Sequence, residues 1–120
     1  MVSVRRRLFD TYEDCMFSVE LSGLSLKHVP KQFKTLELCM IAVKETAFAL
    51  QHVPGRFKTV EICTTAILRD GYTLKWVPYR LKTLELCMAA VMSTSRALVY
   101  VPEEWRQVCE SHIVLMSRDD

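Results

Sequence analysis

Hydrophobic and polar positions alternate in a pattern that repeats every 24 residues along most of the chain. Val-Pro pairs begin at residues 29, 53, 77 and 101, so successive pairs are 24 residues apart. Each complete unit then contains a run with helical i, i+3, i+4, i+7 spacing of apolar residues, as at positions 36, 39, 40 and 43. The pattern predicts one α-helix of about ten residues in each unit.

A threonine stands immediately before each of these predicted helices, at Thr35, Thr59 and Thr83. Its hydroxyl can accept a hydrogen bond from a free backbone amide, which makes it a suitable N-cap. A glutamate two residues later places negative charge at the positive end of the helix dipole. Because glutamate does not occupy the third position, we expect the full capping box to be absent.

A second, shorter helical segment is predicted after each of these helices. The residue between the two segments is small and is expected to allow the turn. This residue is Gly23 in the first unit, Ala47 in the second, Gly71 in the third and Ser95 in the fourth. A proline seven residues after this small residue ends the segment, because it removes an amide donor and keeps the preceding valine extended. The segment therefore has room for only one or two turns, and 3₁₀ geometry is expected. Phe33 and its equivalents, three residues after each proline, are expected to anchor the loop against the core.

The first helix of each unit has almost no polar flank, since Leu38 and Ala42 are apolar as well. Such a helix must be covered by neighbouring units. The predicted fold is therefore all-α, a short α-solenoid of about five helix-turn-short-helix units that is on the order of 40 to 50 Å long. We expect one domain over residues 1–120, with repeats at 5–28, 29–52, 53–76, 77–100 and 101–120.

The two terminal units depart from the pattern and are interpreted as caps. Arg5 and Arg6 stand where Val-Pro is expected, and Cys109 comes two positions early in the last unit. The chain ends in the polar stretch 117–120. A stacked array requires end units of this kind.

Charge and hydropathy exclude several classes of protein. Sixteen Lys and Arg residues face 14 acidic residues in a chain that is half hydrophobic, and the net charge of +2 is too small to indicate nucleic acid or an anionic membrane by itself. The basic N-terminus lacks the apolar run of a secretory signal, and no stretch reaches about 18 apolar residues. We therefore expect no membrane insertion, and a protein that is cytoplasmic or delivered by a specialised secretion system.

The cysteines are interpreted as packing residues. Cys15, Cys39, Cys63 and Cys87 occupy one repeat position, and Cys109 lies outside it. Equivalent Cα atoms in successive layers should be about 9 Å apart, beyond the limit of about 7 Å for a disulfide. Four sulfurs along a stack also cannot converge on one zinc ion. We expect buried thiols, with no metal and no cofactor.

The histidines give no indication of catalysis. His28 and His52 share a repeat position with Trp76 and Tyr100, where stacking of half-buried rings is favoured over metal binding or catalysis because no partner residue converges on them. A Cys-His nucleophile pair would use the most buried thiols and lacks an orienting carboxylate. Each residue type of this kind recurs once per unit, whereas a catalytic site is normally built once. We therefore predict no catalytic residues and no enzyme.

A basic column just before the helix N-caps provides the candidate surface for a partner. The alternative is that its side chains are a solvated rim partly neutralised by Glu37, Glu61 and Glu85. Tyr79 next to Arg80 adds two residue types that are common in binding hot spots. The candidate partner-binding residues are Lys34, Arg56, Lys58, Tyr79, Arg80, Lys82 and Arg106.

The consensus of the units, VPxxFKTxELCMxAVxxxxxALxxVP, resembles a bacterial tandem-repeat family of unknown function whose units read approximately VPEELKTEELCLEAVKxNGxALKYVP. The similarity extends over about residues 5–106, and the acidic pair after proline survives only as Glu103 and Glu104. The resemblance implies a bacterial origin and an all-helical repeat fold. Because such repeats occur in large proteins of intracellular pathogens, it also implies an effector or host-binding role. It provides no catalytic residues to transfer.

Two functional hypotheses follow. The first is a non-catalytic protein-interaction or scaffolding module, a bacterial effector or adaptor, and the absence of a convergent polar constellation favours it. The second is a nucleic-acid-binding repeat that uses the basic column and the aromatic residues, against which the low net charge argues. The expected partner is a protein, and an exposed apolar end layer would also allow a homo-oligomer.

Overall fold

The computed structural model describes residues 9–117, and all regular secondary structure in this range is helical. Four α-helices of ten residues recur at intervals of 24 residues: α1 Tyr12–Leu21, α2 Leu36–Glu45, α3 Val60–Arg69 and α4 Leu84–Ser93. A longer helix, α5 Glu103–Ser117, follows them. The all-α prediction is confirmed.

Each of the first four α-helices is followed by a 3₁₀ helix of six residues, which confirms the geometry expected of the second segment. These long 3₁₀ helices are Gly23–His28, Ala47–His52, Gly71–Trp76 and Ser95–Tyr100. Short 3₁₀ turns form the loops that lead to the next α-helix, at Lys31–Phe33, Gly55–Phe57 and Tyr79–Leu81. The aromatic or leucine side chains at the ends of these turns pack against the core, as predicted.

The threonine caps form as expected. The hydroxyls of Thr35, Thr59 and Thr83 accept hydrogen bonds from the amides three residues later at 3.1, 3.3 and 3.1 Å. The sequence argues against a full capping box at Thr35, Thr59 and Thr83, but α1 has one, because the Asp14 carboxylate accepts the amide of Thr11 at 3.2 Å. The sequence argument considered only glutamate, whereas the shorter aspartate also reaches back to the N-cap amide.

The helices form two layers, with the α-helices in one layer and the long 3₁₀ helices in the other. Each of α2, α3 and α4 packs against the α-helices before and after it, and also against the 3₁₀ helices of its own and the preceding unit. The molecule measures 67 × 30 × 18 Å, and its radius of gyration of 17.4 Å exceeds the roughly 14 Å of a compact domain of this length. It is longer than the 40 to 50 Å predicted, a value that took no account of the 15-residue α5.

The core runs continuously between the two layers. In α2, Leu38, Cys39, Ala42 and Val43 are fully buried, and the equivalent positions are buried in α3 and α4. Leu50 and its equivalents Leu26 and Leu74 close the core from the 3₁₀ side. Because every unit contributes the same set of side chains, burial of one unit depends on the units next to it.

At the start of two of the long 3₁₀ helices, packing between units requires glycine. A Cβ atom on Gly71 would overlap the carbonyl oxygen of Ala90 in α4, and one on Gly23 would overlap that of Ala42 in α2. Neither glycine has a positive φ angle, so close packing, and not the backbone conformation of the turn, requires glycine at these positions. At the equivalent Ala47 a methyl group is accommodated and buried. The first and third junctions are therefore closer at this point than a side chain allows.

The last unit replaces its turn and short helix with the single helix α5, which starts directly after Pro102. Trp105 and Ile113 pack against the core, whereas Val108, Leu115 and Met116 are exposed. Arg5, Arg6 and the polar residues after Ser117, which the sequence suggested as caps, lie outside the described residues. Within residues 9–117, no helix is both long and apolar enough to cross a membrane.

Gly71→Ala should lower the free energy of unfolding by about 1 to 3 kcal/mol, because the new methyl group must push α4 away. Gly55→Ala is the matched control, since a Cβ at Gly55 meets no atom within 4 Å and should change stability by about 0.5 kcal/mol or less. Urea unfolding followed by circular dichroism measures both. Equal effects of the two substitutions would contradict the packing role of Gly71.

Candidate functional site

Three lysines of the predicted basic column link the loop at the start of a unit to the end of the long 3₁₀ helix in that unit. The ammonium groups of Lys34, Lys58 and Lys82 donate hydrogen bonds to the carbonyl oxygens of the last residue in the long 3₁₀ helix of the same unit. The N–O distances are 3.2 Å to His52, 2.9 Å to Trp76 and 2.6 Å to Tyr100. Carbonyl groups at a helix end lack a partner within the helix, so each lysine satisfies one of them.

The surroundings of these lysines fit a structural role. All three are half-buried, and burial lowers the pKa of Lys58 and of Lys82, an effect that the nearby thiols of Cys63 and Cys87 partly oppose. Arg106 acts similarly, since its Nη2 donates to the carbonyl oxygen of Val101 at 3.1 Å. Four of the seven candidate binding residues are therefore engaged with backbone carbonyls.

The other three candidates are exposed on the loop edge of the stack. The guanidinium carbon of Arg56 lies 4.6 Å from the centre of the Phe57 ring. The hydroxyl of Tyr79 donates to Glu104 at 2.8 Å, and this hydrogen bond raises the pKa of Tyr79. Arg80 is exposed beside Tyr79. The structure thus places these three side chains where a partner can reach them.

Charge is separated between the two layers, which the net charge conceals. Helices α1 to α4 contain seven carboxylates and two cations. The segments between them, residues 22–35, 46–59, 70–83 and 94–102, contain nine cations and one carboxylate, Asp70. The four long 3₁₀ helices contain no Asp or Glu at all. An acidic partner would therefore be attracted to the 3₁₀ layer and its loop edge.

Four aromatic rings form a cluster on the 3₁₀ layer. Tyr72 lies at the centre, with ring centroids 6.2 Å from Phe48, 6.3 Å from Trp76 and 5.5 Å from Tyr100. Phe48 also contacts Trp76 at 5.5 Å, and the hydroxyls of Tyr72 and Tyr100 are 3.1 Å apart. Three of these four ring contacts are edge-to-face, a favoured geometry for aromatic pairs.

This arrangement differs from the stacking along one repeat position that the sequence suggested. Trp76 contacts Phe48 of the preceding long 3₁₀ helix and Tyr72 of its own. Tyr100 contacts Tyr72 of the preceding long 3₁₀ helix. The described ring contacts of Trp76 and Tyr100 do not include His52. His28 lies 5.9 Å from Phe9. Two of these pairs, Phe48–Trp76 and Tyr72–Tyr100, join residues 28 positions apart, so a comparison of equivalent positions, which are 24 apart, does not reveal them.

Two exposed cations lie against the cluster. The Lys75 ammonium is 6.0 Å from the ring centre of Tyr72 and 5.7 Å from that of Trp76. The Arg96 guanidinium carbon is 5.2 Å from the Tyr72 ring. Cation–π contacts of this kind restrict the cations to one side of the surface. We refer to Phe48, Tyr72, Lys75, Trp76, Arg96 and Tyr100 as the aromatic–basic patch.

A surface cleft of about 430 Å³ borders the patch and is lined by Phe48, Asp70, Tyr72, Thr94 and Arg96. Asp70 is partly engaged, because its carboxylate accepts the amide of Tyr72 at 2.9 Å. Sequence reasoning left Phe48 and Arg96 out of the candidate site because their position is occupied by different residue types in each unit. The absence of carboxylates from all four long 3₁₀ segments was the signal that could have identified this surface.

The cysteine column has the properties of packing residues. All five thiols are free and buried, and burial raises the pKa of Cys39, Cys63 and Cys87 to about 11. The thiolate is the nucleophile and the metal ligand, and a raised pKa suppresses it at neutral pH. No three His, Cys, Asp or Glu side chains in the described region are arranged to hold a metal ion.

Lys58→Met should lower the free energy of unfolding by about 1 to 3 kcal/mol, because it keeps much of the aliphatic side chain but leaves the Trp76 carbonyl without its charged donor. Lys31→Met, at an exposed position of the preceding loop, is the control and should change stability by about 0.5 kcal/mol or less. Urea unfolding distinguishes the two variants. If Lys58→Met leaves the free energy of unfolding unchanged, the hydrogen bond does not stabilise the fold.

Cys39, Cys63 and Cys87 should resist alkylation by iodoacetamide at pH 8 in the folded protein. With a pKa of about 11, only about one thiol in a thousand is ionised at this pH, and each sulfur is also shielded from solvent. Peptide mass spectrometry with and without guanidinium gives the site-specific rates. Native rates within about tenfold of the unfolded rates would contradict the burial of these thiols.

Comparison with known proteins gives one family match. Residues 59–106 match the model of a domain of unknown function, DUF4116. The matched segment contains α3, α4 and five of the six residues of the aromatic–basic patch, all except Phe48. No curated protein and no solved structure matches the chain significantly. The chain is thus similar, over its third and fourth units, to a domain whose function is not known.

Proposed function

We propose that this chain is a non-catalytic protein-interaction module that binds an acidic segment of a partner protein through the aromatic–basic patch. The observation that carries the proposal is the placement of Lys75 and Arg96 over aromatic rings, in a layer of long 3₁₀ helices that contains no carboxylate. Carboxylates of a partner would pair with these two cations, and its apolar side chains would contact Phe48 and the cleft next to it. Arg56 and Arg80 extend the basic surface along the loop edge.

Preorganisation supports binding at this patch. A free lysine or arginine side chain loses rotamer freedom when it forms an ion pair, and this loss reduces affinity. The rings of Tyr72 and Trp76 already restrict Lys75 and Arg96 in the unbound protein. Less entropy is therefore lost when an acidic segment binds.

The arrangement of the rings favours a protein partner over nucleic acid. Proteins that bind single strands offer flat ring faces on which bases stack. In the patch, three ring pairs are edge-to-face and cations lie over Tyr72 and Trp76, so those faces are engaged within the protein. Binding to a nucleic acid would then depend on phosphate contacts alone, which the test below can detect.

The chemistry of the cleft supports a non-catalytic role. Its polar lining consists of Asp70, Thr94 and Arg96, with the hydroxyl of Tyr72, and contains neither cysteine nor histidine. A nucleophile paired with a base and an orienting group would be needed for covalent catalysis. Asp70 instead accepts a backbone amide and Arg96 lies on a ring.

The proposal extends to the origin of the scaffold. We infer that the stack is a short α-solenoid of the bacterial tandem-repeat type that the unit consensus resembles, and that it serves as an effector or adaptor. Its variable exterior positions provide specificity while the core stays constant. Action in the cytoplasm of the producing cell or in a host after specialised secretion is compatible with this role.

Fluorescence anisotropy with a labelled peptide of alternating Glu, Asp and Leu residues tests the patch. The double variant Lys75→Gln, Arg96→Gln should weaken binding by at least about tenfold. The control Lys44→Gln, Arg69→Gln removes the same charge from exposed positions of the α layer and should change affinity less than about twofold. Equal losses in the two variants would show that the peptide responds only to total charge.

A single-stranded oligonucleotide of equal charge serves as the competing ligand. It should bind more weakly than the acidic peptide at physiological salt, because only electrostatic contacts hold it. Tighter binding of the oligonucleotide, with loss on Tyr72→Ala, would favour the nucleic-acid hypothesis over the protein one.

A further inference from the structure

The outer surface of the α layer is apolar where it faces solvent. Val60, Leu68 and Met92 are 58%, 73% and 51% exposed. The opposite sides of α3 and α4 are buried in the core. Each of these helices is therefore apolar on two sides, but the rest of the stack covers only the inner side. A helix surface that faces water is normally polar, and contiguous exposed apolar residues mark interaction sites.

A groove of about 240 Å³ runs between α3 and α4 on this surface. Val60, Thr64 and Leu68 form one wall at i, i+4, i+8 spacing, and Glu85 and Ala89 line the other. The groove has space because residue 89 is alanine. The equivalent residue is Ile41 in α2 and Thr65 in α3, both of which are larger.

Negative charge lies at one end of the groove. Glu85 is the one charged residue that lines it, and Glu61 is exposed next to Val60 at the same end. The two cations of the α1 to α4 helices, Lys44 and Arg69, are not among the lining residues. A ligand for this groove should therefore combine an apolar ridge with positive charge.

We propose that the groove between α3 and α4 is a docking site for a cationic amphipathic helix of a partner protein. Apolar side chains of that helix lie between Val60 and Leu68 and above Ala89, and its Lys or Arg residues pair with Glu61 and Glu85. Recognition of a helix in a groove relies on apolar anchors at i, i+3, i+4 and i+7. Met92, which is flexible and polarizable, adapts to the shape of the anchors.

The charge also decides against a second copy of the chain as the occupant. Two described helices end the stack: α1 exposes Phe17 and Leu21, and α5 exposes Val108, Leu115 and Met116. Helix α1 contains three carboxylates and no cation, and α5 contains three glutamates and one arginine, so Glu61 and Glu85 repel both. Nine of the twelve Lys and Arg residues in the described region lie instead outside the α-helices, in 3₁₀ helices and loops that present no helical ridge of the required length.

This site lies on the layer opposite the aromatic–basic patch, and the proposal does not depend on the proposed function. If both are correct, the module bridges two partners of opposite charge, an acidic segment on the 3₁₀ layer and a basic helix on the α layer. Variants of the two surfaces can be combined, because no residue is shared between them.

The test is fluorescence anisotropy with a labelled 14-residue peptide of Leu and Lys in amphipathic helical order, compared with a peptide in which Glu replaces every Lys. Ala89→Ile fills the groove with the side chain that α2 carries at this position and leaves every charge unchanged. Thr65→Ile is the matched control, since it introduces the same side chain at the equivalent position of α3, away from the groove. Circular dichroism confirms that both variants are folded.

We expect the Leu-Lys peptide to bind in the micromolar range and to bind at least about tenfold more weakly to Ala89→Ile. Thr65→Ile and the double variant Lys75→Gln, Arg96→Gln should keep wild-type affinity for this peptide within about twofold. The Leu-Glu peptide should not bind the groove, so the signal expected from it is binding to the aromatic–basic patch that Ala89→Ile does not change.

Three results would overturn the proposal. Unchanged affinity of Ala89→Ile for the Leu-Lys peptide would show that charge alone holds the peptide. Loss of affinity in Lys75→Gln, Arg96→Gln would move the binding site to the other layer. A dimer seen by sedimentation velocity that Ala89→Ile dissociates would assign the groove to a second copy of the chain.

Discussion

Burial between successive units is the interaction on which the whole structure depends. A helix of ten residues is marginal in water by itself, and a six-residue 3₁₀ helix is weaker still. Helices α2, α3 and α4 are each covered on the inner side by two long 3₁₀ helices and at the flanks by the neighbouring α-helices. The 24-residue period is therefore a packing requirement: every unit has to return the chain to the same position relative to the next core layer.

The separation of charge between the layers arises partly from the same requirement. Glu37 and its equivalents lie in the first turn of an α-helix, where the dipole favours a carboxylate. Lys34 and its equivalents satisfy carbonyls at the ends of the long 3₁₀ helices. Helix polarity explains these charges, but it does not explain Arg96, which is exposed, lies on a ring and stands near the N-terminal end of its 3₁₀ helix. Positive charge that the fold does not require is the charge that indicates binding.

The sequence was sufficient to predict the features that are local to one unit. The threonine caps, the ten-residue helices and the 3₁₀ segments follow from spacing and backbone chemistry within 24 residues. The hydrogen bond of Lys58 to Trp76 spans 18 residues and the pairing of Phe48 with Trp76 spans 28, so neither is visible when equivalent positions are compared. The role of Gly71 was also misjudged, because its neighbour Ala90 belongs to the next unit.

The third and fourth units combine the features that a binding module needs. Gly71 brings the third unit against α4, its amide donates to the Ser93 hydroxyl at 3.0 Å, and Lys82 ties the loop before α4 to Tyr100. The aromatic–basic patch lies on one side of this junction and the α3–α4 groove on the other. Because each surface takes residues from both units, its geometry depends on how closely the two units approach. A tight, hydrogen-bonded junction fixes that distance before a partner arrives, and it thereby reduces the conformational entropy lost on binding at either surface.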